Sequence, residues 1–224
     1  MGIELKKQAA TVVLTKRGLT SPPGAQVGLA IDISGSMNDE YRDGIVQDVV
    51  ERCLALAMSF DLDKKLDVWT FDNGADYIGS INEGQIDGFV RRDIMNNGKI
   101  SKWGGTSYGP VLSIIDKFFF GNSGGLFGMF AKKPSKDPVF IMFITDGENS
   151  DAAKFQAILR DFRSKNIYIQ IVGIGNANLS YVKQIADAEP NVGFCQIADV
   201  RKLSDEQMME QLVQTEFVEW IKKF

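Results

Sequence analysis

The sequence predicts an α/β fold with a doubly wound, mostly parallel central sheet and helices on both of its faces. Apolar runs of strand length alternate along the chain with segments whose apolar residues recur at helical spacing, which is the pattern of βαβ units. The run at 138–145 is almost wholly apolar, as expected for a strand that helices cover on both sides. A chain of 224 residues with 44% apolar and 24% charged residues is large enough for one such domain.

The first residues of the chain, 1–24, are predicted to form a separate extended segment. Residues 3–16 have the alternation of extended chain and can add an edge strand to the sheet. A Thr-Ser-Pro-Pro-Gly turn at 20–24 divides them from the domain proper, which we place at 25–224.

The spacing of the apolar residues defines the other elements of the domain. The predicted strands are 27–31, 66–71, a hairpin return at 75–81, 138–145, 167–174 and 192–197. The predicted helices are 41–60, a weaker helix at 83–95, 110–119, 151–164, 179–188 and one long amphipathic helix at 203–223. Residues 121–138 have the composition of a glycine-rich insertion, and we expect its apolar side chains either to pack on the core or to contact a partner.

Charge and cysteine content narrow the class of protein. A net charge of −4 and the lack of a basic run interleaved with aromatic residues argue against nucleic-acid binding. Cys53 and Cys195 have no paired spacing, so we interpret both as buried thiols rather than as a disulfide or a zinc site. The first residues lack the apolar core of a signal peptide, and no apolar run is long enough for an integral membrane segment. We therefore expect a cytoplasmic protein, whose oligomeric state the sequence leaves open.

Short oxygen-bearing side chains collect where predicted strands end. An Asp-x-Ser-x-Ser run, Asp32, Ser34 and Ser36, follows the first core strand. Thr106 lies in a Gly-Gly-Thr sequence before a predicted helix, and Asp146 follows the apolar strand that ends at 145. Ligands gather at the carboxyl edge of open α/β sheets, so we expect these five side chains to lie close together.

Every side chain in this set offers oxygen. Hard divalent cations prefer oxygen ligands, and Mg²⁺ in particular keeps several waters in its shell. Two carboxylates and three hydroxyls can supply part of such a shell and leave one position open. Mg²⁺ or Mn²⁺ is the expected ion, with Ca²⁺ as a third candidate.

The combination of motifs resembles the metal-ion-dependent adhesion site (MIDAS) of the von Willebrand factor A (vWA) family, whose pattern is Asp-x-Ser-x-Ser, then Thr, then Asp. The resemblance covers roughly residues 25–222. Within the family the chain is most similar to the bacterial tellurium and toxic-cation resistance (TerF-like) branch, on the basis of segments 3–7, 104–110 and 143–149.

The resemblance has implications for fold, site and function. It implies a Rossmann-like vWA fold and a metal site formed by Asp32, Ser34, Ser36, Thr106 and Asp146. It also implies a non-enzymatic protein-binding module in which an acidic residue of a partner protein completes the metal shell. The branch implies a bacterial tellurite or toxic-cation stress-resistance system.

The sequence also contains partial matches to enzyme motifs. Gly105–Gly109 fits a Gly-x-Ser-x-Gly nucleophile elbow, but the chain contains no histidine, so a Ser-His-Asp mechanism cannot operate within it. The segment 173–178 resembles a dinucleotide fingerprint but has Asn where the third glycine belongs. A metal-assisted phosphohydrolase that uses the same ion as a Lewis acid stays open as the rival function.

Overall fold

A computed structural model of the chain describes residues 2–121, 136–147 and 149–224. The sheet contains β1 (Gln26–Asp32), β2 (Leu66–Phe71), β3 (Ala75–Ile81), β4 (Val139–Thr145), β5 (Ile167–Ile174) and β6 (Val192–Ile197). Its strand order is β3-β2-β1-β4-β5-β6, in which only the β2–β3 hairpin pairs antiparallel. The predicted doubly wound, mostly parallel sheet is confirmed.

Helices cover both faces of the sheet. They are α1 (Ile3–Lys16), α2 (Asn38–Arg42), α3 (Ile45–Phe60), α4 (Tyr108–Phe120), α5 (Ala152–Phe162), α6 (Ser180–Asp187), α7 (Asp205–Leu212) and α8 (Thr215–Ile221). Because successive strand residues point to opposite faces, β1 supplies both apolar layers. Leu29 and Ile31 join the layer formed with α1, α3, α7 and α8, whereas Ala30 joins the layer formed with α4, α5 and α6.

The prediction of an extended segment at the N-terminus is wrong, because residues 3–16 form helix α1. Its buried positions include Ala9, Ala10, Val13 and Leu14, which recur at the spacing of one helix face and pack against α3 and α7. The apolar Thr-Val-Val-Leu run at 11–14 is typical of a strand in isolation. Packing against two helices outweighs that weak preference.

The predicted single helix at 203–223 is also wrong. The chain breaks between α7 and α8, where Val213 and Gln214 leave the helical conformation. The side chain of Gln170, fully buried in β5, donates a 3.2 Å hydrogen bond to Oε1 of Gln214. The break therefore provides a partner for a polar group that burial would otherwise penalise.

Smaller differences have local causes. The predicted helix at 41–60 divides at Gly44, whose φ of 77° interrupts it between α2 and α3. The predicted helix at 83–95 is a 3₁₀ turn, Glu83–Gln85, and a π-helical turn, Val90–Met95, separated by Gly88. Most of the predicted insertion, residues 122–135, lies outside the described residues.

Two further predictions concern the chemistry of the whole chain. Both cysteines are buried free thiols, as predicted, and burial raises the pKa of Cys195 to about 12. None of the helices within the described ranges has both the length and the apolarity needed to span a lipid bilayer.

Candidate metal centre

The candidate site lies at the carboxyl edge of the sheet, between β1 and β4. These two strands are parallel neighbours from which the chain winds in opposite directions, so their ends form a topological switch point. Three loops meet there: loop 1 (residues 33–37), loop 2 (residues 101–107) and loop 3 (residues 146–151, described except for residue 148).

Four of the predicted site residues form a continuous hydrogen-bonded chain. The hydroxyls of Ser34 and Ser36 share a 3.1 Å hydrogen bond, and Ser36 Oγ donates to Asp146 Oδ1 at 2.7 Å. The Ser34 N–H donates to Asp32 Oδ1 at 2.8 Å. Residues far apart in sequence, on loops 1 and 3, are thus within direct contact.

The fifth predicted residue, Thr106, faces the same space from loop 2. A methyl group placed on Gly147 would lie 3.7 Å from Thr106 Oγ1 and 3.9 Å from Ser36 Oγ. The Ser150 N–H donates to the Thr106 carbonyl at 2.8 Å, which joins loop 2 to loop 3. All five predicted residues are therefore brought together at one point of the sheet edge.

Asp72, at the end of β2, holds loop 2 in place, and the sequence analysis missed it. Its Oδ2 accepts hydrogen bonds from Ser101 Oγ at 2.8 Å and from the Gly104 N–H at 3.3 Å, while Oδ1 accepts from the Gly74 N–H at 2.9 Å. The sequence Asp-Asn-Gly at 72–74 joins the two strands of the predicted hairpin, 66–71 and 75–81, where such residues are common in turns. The available signal was that this acidic residue ends a strand adjacent to β1.

The two glycines of loop 2 allow close approach of this turn. A Cβ atom at Gly104 would lie 2.8 Å from Asp72 Oδ2, and one at Gly105 would lie 2.8 Å from Asn73 Oδ1. Real Cβ atoms do not come so close to such atoms, so any other residue displaces either loop 2 or the turn it packs against.

Three contacts, one buried and two partly buried, were also missed from sequence and join the segments around the site. Thr145 Oγ1 donates to Asp32 Oδ2 at 2.6 Å, and Tyr108 Oη donates to the Gly147 carbonyl at 2.6 Å. Asp151 accepts from the Tyr108 N–H at 2.9 Å and so caps the first turn of α4. The hydroxyls of Thr145 and Tyr108 thus connect β4 to β1 and α4 to loop 3.

The carboxylates of the site, Asp32 and Asp146, have no basic partner among the described residues. Asp32 is fully buried, and burial raises its pKa to about 6. Burial also raises the pKa of Asp146. Within the described part of the chain neither carboxylate forms an ion pair with a basic side chain. A buried carboxylate without a counter-ion is costly, and a bound cation would remove that cost.

The donor set fits a hard divalent cation. Its side-chain donors are all oxygens, the type that Mg²⁺, Mn²⁺ and Ca²⁺ prefer. Among the described residues, no group of three or more His, Cys, Asp or Glu side chains could hold a metal ion. A site at this edge would therefore depend on the serine and threonine hydroxyls as well as on carboxylates.

The comparisons with known proteins assign this fold to the vWA class of domain. A family model described as "vWA-TerF-like: vWA found in TerF C terminus" matches residues 24–224. The chain therefore belongs to the vWA-TerF-like family. This match confirms both the predicted family and the predicted branch.

Relatives and solved structures agree with this assignment. The uncharacterized protein YcbR of Bacillus subtilis (strain 168) is 34% identical over 225 residues, which cover 99% of this chain and 87% of that protein. Proximal thread matrix protein 1 of the mussel byssus has a TM-score of 0.61 and 17% identity over 88% of this chain. A von Willebrand factor type A protein from Catenulispora acidiphila has a TM-score of 0.60 and 17% identity over 87% of this chain and 43% of that chain.

The mussel protein has also been solved with a zinc-occupied MIDAS motif, at a TM-score of 0.56 and 19% identity over 86% of this chain and 45% of that chain. This chain covers 49% of the first mussel structure, about half its length. At these identities the structural likeness establishes the fold.

Proposed function

We propose that this chain is a metal-dependent protein-binding module whose MIDAS displays Mg²⁺ or Mn²⁺ at the carboxyl edge of the sheet, with Ca²⁺ as a third candidate. The observation that carries the proposal is the chain of contacts from Ser34 through Ser36 to Asp146, beside the fully buried carboxylate of Asp32. Oxygen donors are concentrated there, and no basic side chain among the described residues pairs with either carboxylate.

Each residue has a distinct part in the proposed site. Asp32 and Asp146 supply negative charge, and the hydroxyls of Ser34, Ser36 and Thr106 supply neutral oxygens. The zinc-occupied MIDAS of the mussel protein supports a divalent ion at this place in the fold. A divalent ion bound there supplies an electrophilic position that a carboxylate can fill.

The proposed partner is a protein that presents an acidic residue. Ser34 is buried, but Ser36 is exposed and Thr106 and Asp146 are partly exposed, so a side chain of another protein can reach the site from the surface. The net charge of −4 disfavours nucleic acid as a partner. Membership of the TerF-like family supports a role in tellurite or toxic-cation stress resistance, and two buried free thiols suit the reducing cytoplasm.

Metal binding is tested by titrating the purified chain with Mn²⁺ and measuring free Mn²⁺ by electron spin resonance. We expect Asp32→Ala and Asp146→Ala each to weaken binding by about 100-fold or more, since even outer-shell changes cost 10- to 100-fold. Asp187→Ala is the matched control, because that carboxylate pairs with Lys183 on the surface of α6. Equal Mn²⁺ affinity in all four proteins would disprove the metal site.

The proposal also states that the chain is not an enzyme, against the rival of a metal-assisted phosphohydrolase. The chain has no histidine to serve as a general base, which supports the binding role. A panel of phosphoesters with Mg²⁺ or Mn²⁺ decides between the two. Turnover that disappears in Asp32→Ala would establish the hydrolase and overturn the binding module.

A further inference from the structure

Trp103, immediately before the Gly-Gly-Thr sequence, has an unusual backbone conformation. Its φ is 68°, and among the described residues Lys64 is the other non-glycine residue with positive φ. Bulky side chains rarely adopt this conformation, and strained residues cluster at functional sites. The Trp103 N–H donates to the Ile33 carbonyl and the Gly35 N–H donates to the Gly104 carbonyl, both at 2.9 Å. These two bonds hold the strained residue against loop 1.

The indole of Trp103 lies beside the candidate metal centre and is accessible. It packs edge to face with Tyr41, with ring centroids 5.7 Å apart, and the Tyr41 hydroxyl donates to the Asp32 carbonyl at 3.1 Å. The side chain is nevertheless 36% exposed. Within the described ranges the indole N–H makes no hydrogen bond, so this donor and part of the ring are available to a partner next to the site.

The rim of the site next to this indole is helix α2, whose Tyr41 packs against the ring and whose first turn is acidic. Glu40, on the same helix as Tyr41, interacts electrostatically with Asp146 and also with Asp39 and Asp43. Arg42 pairs with Asp39 and Asp43.

Two further cations lie near α2 or Trp103 in the described part of the chain. Arg201 interacts with Asp43 and Glu40, but it is itself paired with Asp199. Lys102 precedes Trp103, and its Nζ donates to the backbone carbonyls of Asn97 and Ile100. Carboxylates still outnumber basic side chains among the residues named here.

We propose that Trp103 determines partner specificity at this surface, and that it selects a segment in which a basic side chain lies next to the acidic residue that completes the metal shell. This inference rests on the proposed function. The face of a tryptophan ring attracts ammonium and guanidinium groups, and the acidic rim adds to that attraction. Tryptophan is also enriched among the residues that dominate binding at protein interfaces.

The test compares three capped pentapeptides that share a central glutamate, flanked on its C-terminal side by lysine, leucine or glycine. Each is titrated into the Mn²⁺-loaded chain, and binding is measured by water-proton relaxation, which reports displacement of metal-bound water. We expect the lysine peptide to bind about threefold or more tighter than the other two, as one exposed cation–π contact allows. Tighter or equal binding of the leucine peptide would overturn the basic partner.

Two variants assign the preference to Trp103. Trp103→Gly and Trp103→Asn both tolerate a positive φ, so each permits the loop 2 backbone observed here. Mn²⁺ affinity is measured for each variant so that peptides are compared at equal metal occupancy. We expect the lysine preference to disappear in both, and its persistence in both would overturn the inference.

The outcome also separates this inference from the proposed function. Failure of the wild-type chain to bind Mn²⁺ would overturn both. Retained Mn²⁺ binding with equal affinity for all three peptides would overturn the specificity inference alone.

Discussion

The hydroxyl of Thr145 donates a 2.6 Å hydrogen bond to Oδ2 of Asp32, across the neighbouring strands β4 and β1. The other carboxylate oxygen accepts from the Ser34 N–H. Two neutral donors thus fix the orientation of Asp32, while no basic side chain of the described residues neutralises it. This arrangement orders the carboxylate before any cation is present. Binding of an ion would therefore not require the carboxylate to be reoriented.

Replacing the donor tests this role. We expect Thr145→Val, which keeps the shape of the side chain, to lower the free energy of unfolding by about 1–3 kcal/mol, because a buried carboxylate loses a partner. Mn²⁺ affinity should fall about tenfold. Urea denaturation and Mn²⁺ titration measure the two effects.

Thr70→Val provides the matched control. Thr70 lies buried in β2, and its hydroxyl has no hydrogen-bond partner among the described residues. The same substitution there should leave stability unchanged or raise it. Equal effects of the two variants would show that the Thr145 hydroxyl has no special role.

Because Asp32 is buried, the free energy of unfolding of the metal-free chain should depend on pH. Its pKa rises from 3.8 to about 6, so the folded state favours the protonated form. The resulting stability is fully present below about pH 4 and is lost as the pH rises through 6, a total of about 3 kcal/mol. Urea denaturation in EDTA between about pH 4 and pH 7 should show this loss in the wild-type chain and not in Asp32→Asn.

The difference between the two proteins isolates Asp32. Burial raises the pKa of Asp61 to about 7, but Asp61 titrates in both proteins and cancels. Saturating Mn²⁺ should remove the loss above pH 6, because the ion stabilises the ionised carboxylate. A wild-type profile parallel to that of Asp32→Asn would contradict the prediction.

Tyr108 is expected to couple loop 3 to helix α4. Tyr108→Phe removes its 2.6 Å bond to the Gly147 carbonyl and should lower the free energy of unfolding by about 1 kcal/mol. It should also weaken Mn²⁺ binding, since Gly147 lies between the hydroxyls of Ser36 and Thr106.

Tyr77→Phe separates the two effects. Tyr77 donates a 2.7 Å hydrogen bond to Asp67 at the β2–β3 edge of the sheet. Its loss should cost a similar amount of stability and leave Mn²⁺ affinity unchanged. Equal Mn²⁺ affinity in Tyr108→Phe and the wild-type chain would limit Tyr108 to a structural role.

The sheet and the closeness of the five candidate side chains could be predicted because most of their signals are local. Strands such as β5 are continuous apolar runs, and Asp32, Ser34 and Ser36 alternate in one short motif. The position of Asp146 followed from the rule that parallel strands share one carboxyl edge. Thr106 precedes a helix rather than ending a strand, and its match to the family motif identified it.

The features that sequence reasoning missed depend on contacts between distant segments. Asp72 supports loop 2 because β2 lies next to β1, which the local sequence Asp-Asn-Gly does not reveal. Helix α1 packs against α3 and α7 through Ala10, Val13 and Leu14, and its Lys6 also pairs with Glu51 and Asp48 of α3. The break between α7 and α8 likewise depends on Gln170, more than 40 residues earlier.

Loop 2 packs closely against Asp72, so a larger residue at Gly104 should disturb both. A Cβ atom at Gly104 would lie 2.8 Å from Asp72 Oδ2 and 3.0 Å from Asn73 Nδ2, so Gly104→Ala must displace the turn or the loop. Such overpacking typically lowers the free energy of unfolding by about 1–3 kcal/mol. Because Thr106 lies two residues further on, Mn²⁺ affinity should also fall, by roughly tenfold.

Gly98→Ala is the control for this prediction. A Cβ atom there would have no heavy atom within 4 Å, so stability and Mn²⁺ affinity should stay close to wild-type values. Thermal unfolding with and without Mn²⁺ measures both quantities on the same samples. If Gly104→Ala matched Gly98→Ala in both, loop 2 would tolerate displacement and the close packing against Asp72 would not be needed to position Thr106. If Gly104→Ala lost stability but kept Mn²⁺ affinity, the packing would serve the fold, and Thr106 would be positioned by its carbonyl bond to Ser150 instead.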